Sequence, residues 1–467
     1  RPGGFVFDVS LHSTTVDTRN GVANLIPGFP EIEEVEFVPH PNLYRLVLPE
    51  HDITVPQRNV PEYKAALTRL FPAEKEGIEG LFADMEGLGR DLSAYSSRQG
   101  EMDMRTFPKE FPNLFKCVSH TWDGFMDGRI SDTKLRAIVS SQWGYYGLPP
   151  SKLASIYYAL PFWSYLSSGG YYPIGQSQKI SDAFVRFIEG REGKVKLRTR
   201  VEKILTKDHA AVGVRTTDGE EFTSRVIVAN ANAWDVFHGM LDMSEVEYVR
   251  AYTERLEKFS ISISSFLVFL GLKKDLVGAS GIGDTEIFWN TGYDPEAEYL
   301  SSLEADVEKS SLGITLYDNI YKGYSPAGKN TLSLLALQGY DHWSPYAADY
   351  RAGKKETYRK EKERMADILI DRVEKRFLPG LREAIEVCEV ATPLTNVRYT
   401  SNYRGAIYGW NQTLDNSNPR RLPHKTPIAN LYLSGAWTSP GHGYGAVIPS
   451  GLEAFGAVME DWGKEQK

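Results

Sequence analysis

The residues best suited to chemistry lie in Asn430–Asp461, NLYLSGAWTSPGHGYGAVIPSGLEAFGAVMED. A strand-like apolar run passes into a turn carrying Gly435, Gly441, Gly443 and Gly445, and the turn passes into a helix-like run. Glycine lets the backbone take positive φ and approach a bound group closely. A helix start adds unpaired N–H groups and the positive end of a dipole. The spacing therefore suits an anionic or electron-rich ligand edge, and equally an ordinary Gly-rich turn. Pro449 permits a regular helix only from about Ile448, or else a bent first turn.

Other catalytic patterns are missing. The sequence has no HExxH, no CxxC and no recognisable Ser–His–Asp arrangement, so neither a metal centre nor acyl-enzyme chemistry is expected. No carboxylate pair has a spacing that demands acid–base catalysis, and Asp8 reads as a local capping or orienting group.

The hydrophobic pattern predicts the elements that hold these residues. Gly4–Val9 (GFVFDV) reads as a first strand, and 34–40 and 42–55 read as further strands between turns. From Val60 to Gly128 apolar residues recur at three- and four-residue spacing, which predicts helices. Residues 177–190 predict an amphipathic helix. Residues 194–231 predict a β-unit of three runs with turns at KDHA and TDGE, the last run being 226-VIVANA. Residues 260–272 predict a strand with one buried face, and 331–338 another strand. Residues 355–377 predict a charged helix with pairs such as Glu356 and Lys360. Eight aromatics crowd Trp143–Tyr165, readable as a tunnel mouth, a membrane-touching lid or a proline-broken core.

Composition sets the outer bounds. A chain of 467 residues suggests about three lobes. With 53 basic and 61 acidic residues, a net −8, it is no nucleic-acid binder. At 42% hydrophobic and 24% charged it can bury a large core. Cys117 and Cys388 cannot build a disulfide scaffold and fit a reducing compartment. The longest apolar run, Phe266–Leu272, falls far short of the ~20 residues of a membrane span. The chain opens at Arg1 without an initiator Met or a visible signal peptide, so upstream sequence is expected to be missing.

Several blocks, in order, carry a family resemblance. GFVFDVSLH (4–12) resembles GFxFDxGxH, and GGYYPIGQSQKISDAF (169–184) resembles GGxxYPxGGxxxLxxAL. VEKILTKDHAAVGVRTTDGEEFTSRVIVANA (201–231) resembles a Val-x-x-Ile strand and hairpin ending near an Asn-Ala pair. ATPLTNVRYTSNYRGAIYGWNQT (391–413) resembles TPLTxxRYxxNxxGAxYGW, and the Asn430 segment resembles NLYLxGAxTxPGxG. These are blocks of the phytoene desaturase, carotenoid isomerase and retinol saturase group of flavoproteins.

The resemblance implies FAD as cofactor. It places the backbone of Gly443, Tyr444, Gly445 and Ala446 against the flavin, with Gly441 in the same turn. It puts Gly435, Ala436 and Trp437 near the ribityl and pyrophosphate, Val201 near the adenine, and Asn230 and Ala231 in the cofactor cleft. His12, Tyr408 and His442 become the catalytic candidates. Each has a plainer reading: a half-buried histidine, a core aromatic and an exposed turn residue. Tyr408 and Trp410 wall a substrate tunnel or belong to the core, and Arg398 and Tyr399 lie in the same block.

The sequence also departs from the pattern. No GxGxxG follows a strand and opens a helix, and neither 280-SGIGDTE nor 441-GHGYGA has that context. The unit holding the ADP moiety is therefore expected to be truncated or unrepresented. Gln176 stands where a second glycine is usual, and Ser10 where glycine is frequent.

The expected fold is α/β and amine-oxidase/phytoene-desaturase-like. A discontinuous Rossmann-like FAD-binding lobe is expected from 1–15, 166–240 and 386–467, and a mixed-sheet-plus-helices substrate lobe from 16–165 and 241–385. The expected function is an FAD-dependent oxidoreductase acting on C–C bonds of a hydrophobic polyene or isoprenoid, by hydride transfer with flavin N5. Desaturation, saturation and isomerisation all fit. Amine oxidation, or a binding protein that has lost its cofactor, are the alternatives. Expected partners are a hydrophobic small molecule and the periphery of a membrane, with a cytoplasmic or membrane-peripheral location.

Overall fold

The computed structural model describes all residues except 1, 10, 16–25, 27, 99–102, 104, 419, 466 and 467. Ser10 thus lies outside the described residues. Two compact units emerge. One comprises Arg1–Thr15, Phe37–Ser177 and Ile263–Thr400, the other Val16–Glu36, Gln178–Ser262 and Ser401–Lys467.

The first unit is built on a seven-stranded sheet. Its order is Ile385–Ala391, Ser264–Leu272, Asn330–Gln338, Leu312–Thr315, Glu286–Trp289, Tyr44–Val47 and Asp52–Val55. Tyr44–Val47 and Glu286–Trp289 run parallel and the other neighbours antiparallel, so the sheet is mixed. Helix Glu356–Arg376 packs Met365, Leu369, Ile370 and Val373 into one core cluster with Phe266, Val268, Leu270 and Leu272. Its opposite side carries charge, including the Lys360–Glu356 pair at 2.9 Å.

Ser264–Leu272 was expected to bury one face, yet only Phe269 is not fully buried. The reason lies at the chain start. Phe7 packs on Phe269 at 5.6 Å between ring centroids, and the Phe5 ring closes over Gly271. Gly4–Val9 is correspondingly not a strand. It is an extended segment lying across the sheet, with Phe5 and Phe7 buried and the Val6 N–H donated to the Tyr324 carbonyl at 2.8 Å. Alternation reports one covered side, which such a segment shares with a true strand.

The aromatic cluster joins the core. Trp143, Tyr146, Tyr158 and Phe162 are buried, and Tyr145, Tyr157, Trp163 and Tyr165 are half-buried. Trp122 stacks on Tyr158 at 4.4 Å. Among the described residues no helix is long and apolar enough to cross a membrane.

The second unit holds an antiparallel sheet of Val201–Lys207, Ala210–Thr216 and Glu221–Thr223. Asp208 and His209, at φ of 51° and 60°, make the tight turn at KDHA. The run after TDGE, expected as the last strand of this sheet, leaves it. Ile227–Ala229 pairs instead with Leu431–Leu433, in parallel, because its apolar residues join the cluster of Ile204, Phe237, Trp410, Leu431, Leu433 and Trp437.

Candidate functional site

The parallel register runs from Ile227–Leu431 to Ala229–Leu433, so the residues after both strands emerge at one end. Carboxyl ends of parallel strands are where open α/β sheets bind ligands. Asn230 and Ala231 follow one strand, and Gly435, Ala436 and Trp437 follow the other. Ser434 donates its N–H to the Ala229 carbonyl at 3.1 Å. Gly435 sits at φ +94°, and a Cβ there would lie 2.2 Å from Asn230 Oδ1. Only glycine brings the two turns so close. Gly435 N–H donates to Ser450 Oγ at 2.9 Å, and Ser450 in turn donates to the Ser439 carbonyl at 2.7 Å. The turn is thereby tied to the helix that follows.

That helix spans Tyr444–Glu465. It starts before Ile448 and carries Pro449 inside, which deprives the Gly445 carbonyl of its intrahelical donor. Gly441 and Gly443 take φ of +136° and +86°. At Gly443 and Gly445 no atom beyond the adjoining backbone lies within 4 Å of where a Cβ would stand, and both are exposed. The Ala446 and Val447 N–H groups both donate to the Gly443 carbonyl, at 2.9 and 2.8 Å. Tyr408 stacks on His442 at 4.3 Å and 28°, joining two of the sequence candidates. Burial pushes the Tyr408 phenol's pKa up, so it stays protonated. Trp410 is core, edge-on to Trp437 at 4.8 Å.

Sequence reasoning missed Arg421. Its guanidinium, 4% exposed, donates to the carbonyls of Trp410, Asn411, Asn416, Ala436 and Thr438 at 2.8–3.4 Å. It clamps Trp410 and Asn411 to the turn after Leu433. An arginine in an irregular loop carries no spacing signal. His424 adds a second brace, with Nδ1 at 2.9 Å from the Leu433 carbonyl and Nε2 at 2.9 Å from Glu453. Val201 stands apart, opening the three-stranded sheet half-exposed.

His12 belongs to the first unit. Its Nδ1 lies 2.6 Å from Thr315 Oγ1 and 3.5 Å from Glu286 Oε2. Asp8 joins two of the sequence blocks: its carboxylate accepts from Ser177 N–H and Oγ–H, both at 2.9 Å, and from the Tyr172 hydroxyl. Gln176, just before, sits at φ +75°, where the usual glycine is at ease. Tyr399 is exposed, as is Arg398.

The family described as flavin containing amine oxidoreductase matches residues 95–458. The chain is 26% identical over 478 residues to the chloroplastic prolycopene isomerase of Daucus carota, covering 99% of this chain and 74% of that one. It is 26% identical over 462 residues to the neurosporene-forming phytoene desaturase of Rhodobacter capsulatus, covering 96% and 84%. In fold it is similar to an oxidoreductase from Methanosarcina mazei, with a TM-score of 0.57 at 15% identity, covering 92% of this chain and 84% of that one.

Proposed function

We propose, from the premise that the chain belongs to the flavin-containing amine oxidoreductase family and is an FAD-dependent oxidoreductase, that it acts on carbon–carbon bonds of a hydrophobic polyene or isoprenoid. The observation that carries this reading is the parallel pair Ile227–Ala229 and Leu431–Leu433, which delivers Asn230, Ala231 and Gly435 to one end ahead of a glycine-rich helix start. The relatives named above are an isomerase and a desaturase of carotenoids, which favours a polyene over an amine.

A flavin ring fits that start. The open space at Gly443 and Gly445 admits a flat ring against the backbone, at the positive end of the helix dipole. Gly441, Gly443, Tyr444, Gly445 and Ala446 would hold the ring. Gly435, Ala436 and Trp437 would follow the ribityl chain, Asn230 and Ala231 the cleft, and Val201 the adenine. When bound, FAD supplies hydride exchange at its N5 with a substrate carbon. Arg421 and Ser450 keep the turn rigid, and the Tyr408–His442 stack walls the apolar side. The substrate is drawn from a lipid phase, and the protein meets the membrane at its periphery to collect it.

The test is to supply the purified chain with FAD, then mix it anaerobically with carotenoid and retinoid polyenes. A shifted polyene spectrum with a new chromatographic product supports the reading. Bleaching of the flavin by amines alone would establish amine oxidation instead. Flotation with liposomes checks the membrane contact.

A further inference from the structure

Glu298 carries a carboxyl group into the interior of the first unit, on the helix Pro295–Leu303, where it is only 6% exposed. Neutral donors from other elements converge on it. Trp143 Nε1–H, in the one-turn helix Trp143–Tyr145, donates to Oε2 at 3.3 Å. Asn290 Nδ2–H, just past the strand Glu286–Trp289, donates to the same oxygen at 3.3 Å. The Gly292 N–H reaches Oε1, also at 3.3 Å. Each contact is longer than the ~2.7–3.2 Å of an ordinary N–H···O bond. Ser311 Oγ, buried and otherwise unpartnered, stands beside the carboxyl and offers an acceptor for its proton.

The charged groups on the surrounding elements do not neutralise it. On its own helix Asp294 caps the first turn and Glu296 accepts from Ser151, so both bring negative charge. From the segment that carries Trp143, Lys152 stands over the Tyr299 ring at 5.3 Å. Lys309 pairs with Asp306 at 3.1 Å, and Arg372 donates to the Val307 and Ser310 carbonyls. Glu286, on the strand before Asn290, accepts from Thr315 Oγ1 at 2.8 Å. A desolvated carboxylate without a cation is costly to bury, and the protonated acid is not. Burial accordingly raises the Glu298 pKa to about 7; the contacts of Ser311, Trp143 and Gly292 oppose the rise and the Asp294 charge adds to it.

We propose that Glu298 is a proton-operated latch, which holds Trp143 against the helix Pro295–Leu303 while neutral and releases it to admit water once ionised. This goes beyond the proposed function and does not depend on it. Loss of the proton to solvent leaves a charge whose hydration the neutral donors only partly replace. Trp143 is the part that yields. Its indole is fastened by the one long bond to Glu298 and by edge contact with Tyr299 at 6.0 Å. Asn290 is instead tied to the sheet, through its N–H to the Val47 carbonyl at 2.9 Å. Trp143 also opens the aromatic run 143–165, so the latch sets how tightly that run is held near neutral pH.

The test labels the whole chain, supplied with FAD, with fluorotryptophan and identifies the Trp143 signal by its loss in Trp143→Phe. The expected fluorine NMR signal moves with a midpoint of about 7 and gains a shift between light and heavy water on the alkaline side. In Glu298→Gln, which keeps an acceptor of the same size, the signal should stay fixed and protected from about pH 5.5 to about 8.5. Asp294→Asn, which still caps the helix, should lower the midpoint. A carboxyl raised in the folded state costs stability that grows as pH rises from the unfolded value to the folded one. Glu298→Gln should therefore melt higher than wild type at about pH 8, with the advantage shrinking towards about pH 5. A Trp143 signal that does not titrate, that titrates identically in Glu298→Gln, or that titrates without the solvent shift overturns the latch. Should Glu298→Gln fail to fold, a midpoint unmoved by Asp294→Asn overturns it instead.

Discussion

Gly435 and Asn230, at the carboxyl ends of two parallel strands, approach so closely that a Cβ on the glycine would lie 2.2 Å from the asparagine side-chain oxygen. The φ of +94° at Gly435 binds this turn to glycine, and the contact adds a steric demand that the Asn230 side chain would have to relieve.

Gly435→Ala should therefore destabilise the protein by about 1–3 kcal/mol and speed FAD release. Because Asn230 Oδ1 is the mobile end of a side chain, the double variant with Asn230→Ala should recover only the steric part. Thermal melts and flavin release rates of the single and double variants separate the clash from the backbone strain.

Arg421→Met should cost about 3 kcal/mol or more, because several buried carbonyls lose their donor together. Arg421→Lys should recover only part, since an ammonium cannot reproduce the planar fork. Chemical denaturation of the three proteins measures this directly.

His424 sets a pH dependence. Burial lowers its pKa, but the Glu453 hydrogen bond, the Leu433 carbonyl and the Glu453 charge together raise it above 6.5. A raised folded-state value means the stabilisation is complete below the unfolded pKa and disappears as pH rises through the folded one. Wild type should exceed Glu453→Gln in stability at about pH 6 and match it more closely at about pH 8. The Glu453 side chain is 48% exposed, so the difference should stay below about 1 kcal/mol. Denaturation curves at both pH values provide the comparison.

Gln176→Gly should stabilise the protein, by up to about 1 kcal/mol. A left-handed non-glycine residue costs about 1–2 kcal/mol, part of which glycine returns as chain entropy. A raised melting temperature with unaltered FAD content is the expected outcome.

What the sequence determined by itself is local. The strand, Gly-rich turn and helix of the 430–465 region were legible because positive φ and a helix start are properties of a few consecutive residues. The amphipathic helices were legible for the same reason, their period being set by the backbone. Tertiary structure decided what covers each apolar face. Gly4–Val9 alternates like a strand, and only the presence of Phe269 and Gly271 beneath it makes it a segment crossing a sheet. It also decided which polar groups meet. No spacing links His12 to a threonine 303 positions away, or Arg421 to carbonyls on both sides of it. Their partners are selected by strand pairing and by the requirement that buried donors and acceptors be satisfied, and both conditions exist only once the chain has closed on itself.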